Sequence, residues 1–367
     1  MEKIKIGIIG CGNISNAYFN ASKKFEIIEV KSCADINSEA AAAKAEEHGV
    51  SAVTVDEMLA DPEIEIVINL TIPKAHVEVS MKCLEAGKHV HLEKPLGINY
   101  EEGRKLVEFA KSKGLLIGCA PDTFLGGGQQ TCRKLIDDGW IGRPIAGTAI
   151  MMGRGPEPWH PNPGFFYEEG GGPMLDMGPY YMTALVNMLG PAKSIRGFAV
   201  RSFDERVAGH ESIKGKKIPV MVPTHYSGSI EFHSGAIISV IISFDVYGHH
   251  HKPIEIYGTN GSLTVPDPNT FGGEVQVKVA RNDWQNVGFT HGYTENMRSI
   301  GVADMACALR SGRKHRCSGE LALHVLEIMT GFRKASENGG VYELETTCDK
   351  PAALPLGLMD GFLDSFQ

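Results

Sequence analysis

Ile4-Lys5-Ile6-Gly7-Ile8-Ile9-Gly10-Cys11-Gly12-Asn13-Ile14 opens the chain and decides its fold. Ile4–Ile9 reads as an almost continuous apolar strand, of the kind covered on both faces. Gly10-x-Gly12 follows it, and Asn13–Lys24 suits a helix. Glycines between a strand and a helix allow a tight turn and a close approach of backbone to a pyrophosphate, whose charge then sits at the helix N-terminus. Ser15 stands where the usual fingerprint has a third glycine. A plain strand-to-helix turn is the competing explanation.

Working outward, the first 120 residues keep alternating between two periods. Strands are expected at Ile27–Ala34, Val53–Val55, Glu65–Leu70, His89–Leu92 and Leu115–Cys119. Helices are expected at Ser38–His48, Asp56–Ala60, His76–Ala86 and Tyr100–Lys113, with Gly49, Gly87 and Gly114 as stops. This alternation predicts right-handed crossovers and a doubly wound parallel sheet. Asp35 ends the second strand. A carboxylate there accepts hydrogen bonds from a ribose diol and repels a 2′-phosphate, which favours NAD over NADP. Capping of the next helix is the alternative role.

Beyond Pro121 the pattern changes. Thr131–Asp138 and Leu175–Leu189 read as helices and Ile145–Met152 as a strand. Strand-like runs then follow one another at Ser194–Val200, His225–Phe232, Ala236–Phe244, Pro253–Tyr257, Ser262–Val265 and Glu274–Val279, before helices at Glu295–Arg310 and Leu321–Glu337. Consecutive strands without helices between them predict a large, mostly antiparallel sheet. The expected organisation is an α/β chain of two domains, 1–121 for the dinucleotide and 122–367 for substrate and oligomer contacts.

The chain has 367 residues, 43% hydrophobic and 22% charged, with a formal net charge of -8. This size suits two domains. The negative balance argues against non-specific nucleic-acid binding, which needs excess Lys and Arg. No secretory leader pattern opens the chain, and no apolar run approaches the roughly 18 residues of a membrane helix. The eight cysteines form no Cys-x-x-Cys. Reduced thiols, no membrane and a cytoplasmic location are expected.

Several segments carry candidate chemistry. Leu70-Thr71-Ile72-Pro73 lies at the carboxyl end of the fourth strand, where ligands bind in such sheets, and His76 opens the next helix. Glu93-Lys94-Pro95 ends the fifth strand, and Pro95 disfavours helix at Lys94. Gly170-Gly171-Gly172 permits a loop that side chains would block. Asp176 and Tyr180 follow it, four apart and on one helix face. Trp159 and His160, in the proline-rich loop before the glycines, offer an apolar face and a polar tip for a ligand. His291, Tyr293 and Arg298 form a polar group before a late helix. His249-His250-His251 reads as a basic turn between strands, and no metal is expected.

Together these residues resemble the glucose-fructose oxidoreductase / inositol dehydrogenase / rhizopine catabolism protein (Gfo/Idh/MocA) family, over nearly the whole chain. Gly10-Cys11-Gly12-Asn13-Ile14 looks like that family's cofactor loop. Thr71-x-Pro73-x-x-His76 resembles its segment near the nicotinamide ribose, and Glu93-Lys94-Pro95 its most specific signature. Gly170–Gly172 with Asp176-x-Gly178-x-Tyr180 resembles its substrate-domain motif. Many members carry histidine where this chain has Tyr180.

The resemblance implies a Rossmann domain followed by an open-sheet α/β domain whose outer face joins subunits, here as a homodimer or homotetramer. It implies NAD-dependent hydride transfer at a secondary alcohol of a sugar, sugar derivative or cyclitol. Lys94, Asp176 and Tyr180 would be catalytic, the proton passing through the Tyr180 phenol, its pKa lowered by Lys94, or through Lys94 itself; from their own chemistry, Trp159 and His160 are expected to contact substrate. An NAD-recycling glycosidase and a non-catalytic dinucleotide sensor are the alternatives that the same fold allows.

Overall fold

The opening apolar run forms one of the two central strands of a six-stranded parallel sheet. The computed structural model describes residues 2–364. Strands β1 (Ile4–Ile9), β2 (Ile28–Ala34), β3 (Ser51–Ala52), β4 (Ile64–Asn69), β5 (His89–Leu92) and β6 (Ile117–Cys119) lie in the order β3-β2-β1-β4-β5-β6. Helices α1 (Ser15–Ser22), α2 (Ser38–His48), α3 (Val55–Ala60), α4 (His76–Glu85) and α5 (Tyr100–Ser112) connect them. The order reverses between β1 and β4, so the carboxyl ends of these two strands flank the crevice where such sheets bind ligands. The expected third strand is displaced to Ser51–Ala52. Thr54 is the reason: it forms a reciprocal capping box with Glu57 and starts α3 early.

The second half is built from α6 (Gly127–Asp137), β7 (Pro144–Met152), α7 (Gly172–Asp176) and α8 (Gly178–Leu189). Strands β8 (Ala192–Val200), β9 (Glu205–Val207), β10 (Lys217–Pro219), β11 (His225–Phe232) and β12 (Ile237–Ser243) follow. Then come β13 (Ile254–Gly258), β14 (Gly261–Val265), β15 (Val275–Val279) and β16 (Gln285–Val287). The chain closes with α9 (Ile300–Ser311), α10 (Gly319–Asn338) and β17 (Val341–Glu343). Nine strands form one sheet, ordered β16-β15-β14-β13-β7-β12-β11-β8-β17. Only β7 and β12 pair in parallel within it. Alternate residues such as Ile238, Val240 and Ile242 are buried on one face, and α6, α7 and α10 pack against the sheet.

Three helix boundaries differ from the sequence expectation, each for a physical reason. The helix expected at Leu175–Leu189 is two helices broken at Met177, because Pro179 has no N–H to continue the ladder. α6 begins at Gly127, inside a glycine run that packs against the backbone of Phe271 and Gly272. α9 begins at Ile300 rather than Glu295, where a distant carboxylate, Asp122, accepts hydrogen bonds from Ser299 N and Gly301 N at 3.1 Å each.

The chain end ties back to the first sheet. Ser318 forms a single antiparallel bridge to Gly118, and Cys119 N donates to Cys317 O at 3.1 Å. All eight cysteines are free, and seven are buried. No helix among the described residues is long and apolar enough to cross a membrane.

Candidate functional site

Gly10 ends β1 with φ +101°, and a Cβ there would stand 2.6 Å from Leu70 O. Only glycine lets the two strand ends approach this closely. A Cβ on Gly12, in contrast, would meet nothing within 4 Å. Ser15, in place of the third glycine, donates from Oγ to Gly12 O at 2.7 Å and fixes the loop. α1 starts without a side-chain cap. Open space beside bare backbone at an uncapped helix start fits a dinucleotide pyrophosphate. Asp35 accepts from Cys11 N at 2.7 Å and Asn37 N at 2.8 Å. Asn37, not Asp35, caps α2.

The second ligand-facing bend is held by Asn69, which the sequence reading overlooked. Its Oδ1 accepts from Thr71 N and Thr71 Oγ1 at 3.1 and 2.7 Å, and its Nδ2 donates to His76 O and Ser80 Oγ at 3.0 Å each. An amide at the end of the apolar run EIVIN was the available signal. His76 is buried between Pro95 O at 2.8 Å and Thr71 O at 2.9 Å. Burial pushes its pKa down although both carbonyls pull it up. A neutral ring donates to one of the two. His76 therefore clamps the bend to the Lys94–Pro95 segment.

Glu93 is buried, accepting from Tyr18 Oη at 2.7 Å and from Lys94 N at 3.1 Å. Lys94 leaves the sheet edge and donates from Nζ to Asp176 O at 2.9 Å and Oδ1 at 3.0 Å. Its Nζ also lies 5.3 Å from the centroid of the Tyr180 ring. Burial would lower the Lys94 pKa, but Asp176, Tyr180 and Glu93 outweigh it and the net direction is upward. The Tyr180 pKa also moves up, against the expectation from Lys94 alone. Burial dominates; Lys94 and Arg298 oppose it and lose. Both groups therefore hold their protons at neutral pH.

These residues line one cleft of about 290 Å³. Ile14, Leu70, Thr71, Pro73 and His76 line it together with Lys94, Asp176, Tyr180, Phe165 and Phe166. Gly10 to Asn13 continue from Ile14. Trp159 and His160 do not line it. Trp159 is 64% exposed, and His160 packs edge-on behind Phe165 and Phe166 at 5.6 and 5.3 Å between centroids. The prolines at 161 and 163 turn the loop, so the two phenylalanines face the cleft instead. Gly171 allows this: a Cβ there would stand 2.4 Å from Phe165 O. The loop is anchored behind by the buried Tyr167 and Glu157, with Arg206 bonded to Glu157, Asp245 and Phe244 O.

Of the late polar group, only Arg298 acts on the site, where its charge pulls the Tyr180 pKa down against burial; its side chain donates to Asn296 Oδ1 and Asn269 Oδ1 at 3.1 and 3.0 Å. His291 contacts Leu354 O, and Tyr293 donates to Phe362 O. His249–His251 lie exposed on the loop between β12 and β13. A larger cleft of about 760 Å³ lies between α5, β6 and α10. Four of its five Lys and Arg side chains, Arg313, Lys314, Arg316 and Lys350 but not Lys111, are paired to a carboxylate among the described residues.

A Rossmann crevice joined to a lysine–aspartate–tyrosine set defines a nicotinamide-dependent oxidoreductase. The chain belongs to the GFO/IDH/MocA oxidoreductase family: residues 4–120 match its NAD-binding Rossmann fold and residues 129–264 its C-terminal domain. It is 28% identical over 265 residues to a 1,5-anhydro-D-fructose reductase of Ensifer adhaerens, covering 70% of this chain and 74% of that one. It is 26% identical over 324 residues to a levoglucosan dehydrogenase of Pseudarthrobacter phenanthrenivorans, covering 80% and 81%. The structure of a levoglucosan dehydrogenase in complex with NADH and L-sorbose superposes with a TM-score of 0.82 at 23% identity, covering 94% of this chain and all of that one.

Proposed function

We propose that the protein reversibly oxidises one secondary alcohol of a sugar, sugar derivative or cyclitol, with NAD preferred to NADP. The observation that carries this reading is the convergence of Lys94, Asp176 and Tyr180 on one cleft with Ile14, Leu70 and Thr71. The names of the similar proteins, a sugar reductase and a sugar dehydrogenase, support the substrate class.

Gly10 to Ile14 and Asp35 would hold the dinucleotide, and Thr71, Pro73 and Glu93 would border its nicotinamide end. Bound nicotinamide supplies the hydride acceptor or donor. Lys94 would hold the substrate oxygen by a charged hydrogen bond, while Asp176 fixes the ammonium. Tyr180 would exchange the hydroxyl proton. Phe165 and Phe166 would cover the apolar face of the ring and exclude water. Because Tyr180 rests as a phenol, reduction finds its proton in place. Oxidation needs the phenolate and should speed up as pH rises.

The division at residues 121 and 122, the cytoplasmic location and self-association belong to the same proposal. The uncovered face of the nine-stranded sheet would form the homodimer or homotetramer contact. It carries Phe198 and Ile237, 73% and 54% exposed. Light scattering on Ile237→Lys should report a smaller particle than wild type.

The test of the reaction is a panel of sugars, sugar acids, cyclitols and glycosides, incubated with NAD⁺ and separately NADP⁺. NADH formation with one class supports the reading. Glycoside cleavage without NADH, or tight NADH binding with no turnover of any compound, would replace it.

A further inference from the structure

The loop that brings Phe165 and Phe166 to the cleft is tied down at its two ends and not in its middle. Among the described residues, every backbone hydrogen bond of residues 158–166 stays between Pro156 and Tyr167. On either side the ties are external. Gly209 N donates to Glu157 O at 2.8 Å, and Met221 N to Tyr167 O at 2.7 Å. Both donors belong to one excursion of the chain, residues 201–224, which carries the antiparallel pair β9 and β10. Its flanking strands β8 and β11 are sheet neighbours, paired from Val200 and His225 onward. A plain hairpin turn between them needs only about 2–5 residues.

Arg206, on β9, joins the two ties from inside. It is buried, and its Nη1 donates to Glu157 at 3.4 Å. Its Nη2 donates to Phe244 O at 3.0 Å and to Asp245. Glu157 accepts in turn from the Tyr167 hydroxyl, and Asp245 from Thr224 Oγ1 at 2.8 Å. The guanidinium lies 4.5 Å from the Phe203 ring centroid; Arg154 lies 5.0 Å from the same centroid and 4.5 Å from that of Tyr247. Arg154 leads into the loop. Gly155 follows with φ +96°, and a Cβ there would strike the Tyr167 hydroxyl and the Glu157 carboxylate. Only glycine leaves room for those two to meet. Tyr167 also shares a small apolar core with Ala208, Ile218, Val220 and Phe244, separate from the main one.

We propose that Arg206 is a positioning residue that clamps both ends of the 158–166 loop to the β9–β10 ribbon, and that this clamp sets where Phe165 and Phe166 stand over the substrate. The role rests on the reading of the cleft as the sugar site. Neither Arg206 nor Tyr167 lines that cleft, so both act through the loop.

The experiment follows amide hydrogen exchange of the full chain with NADH bound, then steady-state kinetics on the compound class that the sugar panel identifies. Arg206→Met leaves two buried carboxylates without their cation. It should speed exchange at residues 159–166 by about tenfold or more relative to β1 and β4, because local opening sets that rate. KM for the sugar should rise by about tenfold while kcat stays within about threefold, the pattern of lost binding. Arg206→Lys should recover part of both changes. Tyr167→Phe keeps the ring and loses one hydrogen bond. It should give a smaller change of the same kind, and it supplies the reading should Arg206→Met not fold. Unchanged exchange at 159–166, whatever the melting temperature, leaves Arg206 a stabilising ion pair only and overturns the proposal. Faster exchange with a wild-type KM overturns the part given to Phe165 and Phe166. Exchange needs no sugar, so its failure is distinct from failure of the proposed reaction.

Discussion

Asn69 and His76 direct most of their hydrogen bonds at backbone, and Glu93 beside them fixes Lys94 N. Lys94, Asp176 and Tyr180 act mainly on one another's side chains, and the Arg298 charge acts on Tyr180 as well. The first arrangement is a frame that shapes loops from contiguous sequence. The second is a charge assembly drawn from segments up to about two hundred residues apart. The difference predicts that changes to the frame alter binding and stability, whereas changes to the assembly alter rate.

The sharpest way to break this division is Lys94→Ala. Turnover should fall by roughly 10²–10⁴, the range of a lost proton-transfer partner, while NADH affinity measured by fluorescence titration stays within a few-fold. Wild-type turnover in this variant would remove Lys94 from the mechanism.

The frame has its own weak point, inside β5. His91 is fully buried, and neither ring nitrogen has a hydrogen-bond partner among the described residues. Burial pushes its pKa down to about 3. The folded ring is thus neutral where the unfolded ring, near 6.5, takes up a proton. Stability is complete above pH 6.5 and is lost as pH falls toward 3, by about 1.4 kcal/mol per pH unit. Urea denaturation of His91→Leu at pH 7 and pH 4.5 should show a smaller acid loss than wild type. An equal loss in both would acquit this residue.

Asp35→Ala should weaken NADH binding by about tenfold, the size of one or two charge-assisted hydrogen bonds. NADPH binding should be unchanged or improved. If both cofactors weaken equally, Asp35 supports only the Cys11 loop that it bonds.

Across the cleft mouth, Lys74 meets Glu168 at 2.9 Å with both side chains about half exposed. Such a pair contributes about 0–1 kcal/mol. Lys74→Ala should therefore change kcat/KM less than fivefold, and a larger loss would mean that the frame and the charge assembly are not independent.

The same contrast explains what was readable in the chain. Five of the six parallel strands, the Gly10–Gly12 turn and the Glu93–Lys94–Pro95 signal follow from local pattern, while β3 lies just before its expected place. So did Asp176 and Tyr180, which are four residues apart. The start of α9 was not legible, because its cap is Asp122, 177 residues away. The influence of the Arg298 charge on Tyr180 was hidden for the same reason. Phe165 and Phe166 could not be told from Trp159 and His160, because composition does not show which aromatic of a proline-rich loop turns inward. The small β9–β10 pair, the short β16 and β17, and the buried Arg206 behind the loop left no periodic signal at all.

The strands at the four sheet borders share one property. β3 spans two residues and β6, β16 and β17 three each. At β6 even that short border is occupied, by Ser318 against Gly118. An unpaired strand recruits another chain through a run of free N–H and C=O groups, and very short borders withhold that template. The fold thus guards two large sheets against runaway edge-to-edge polymerisation.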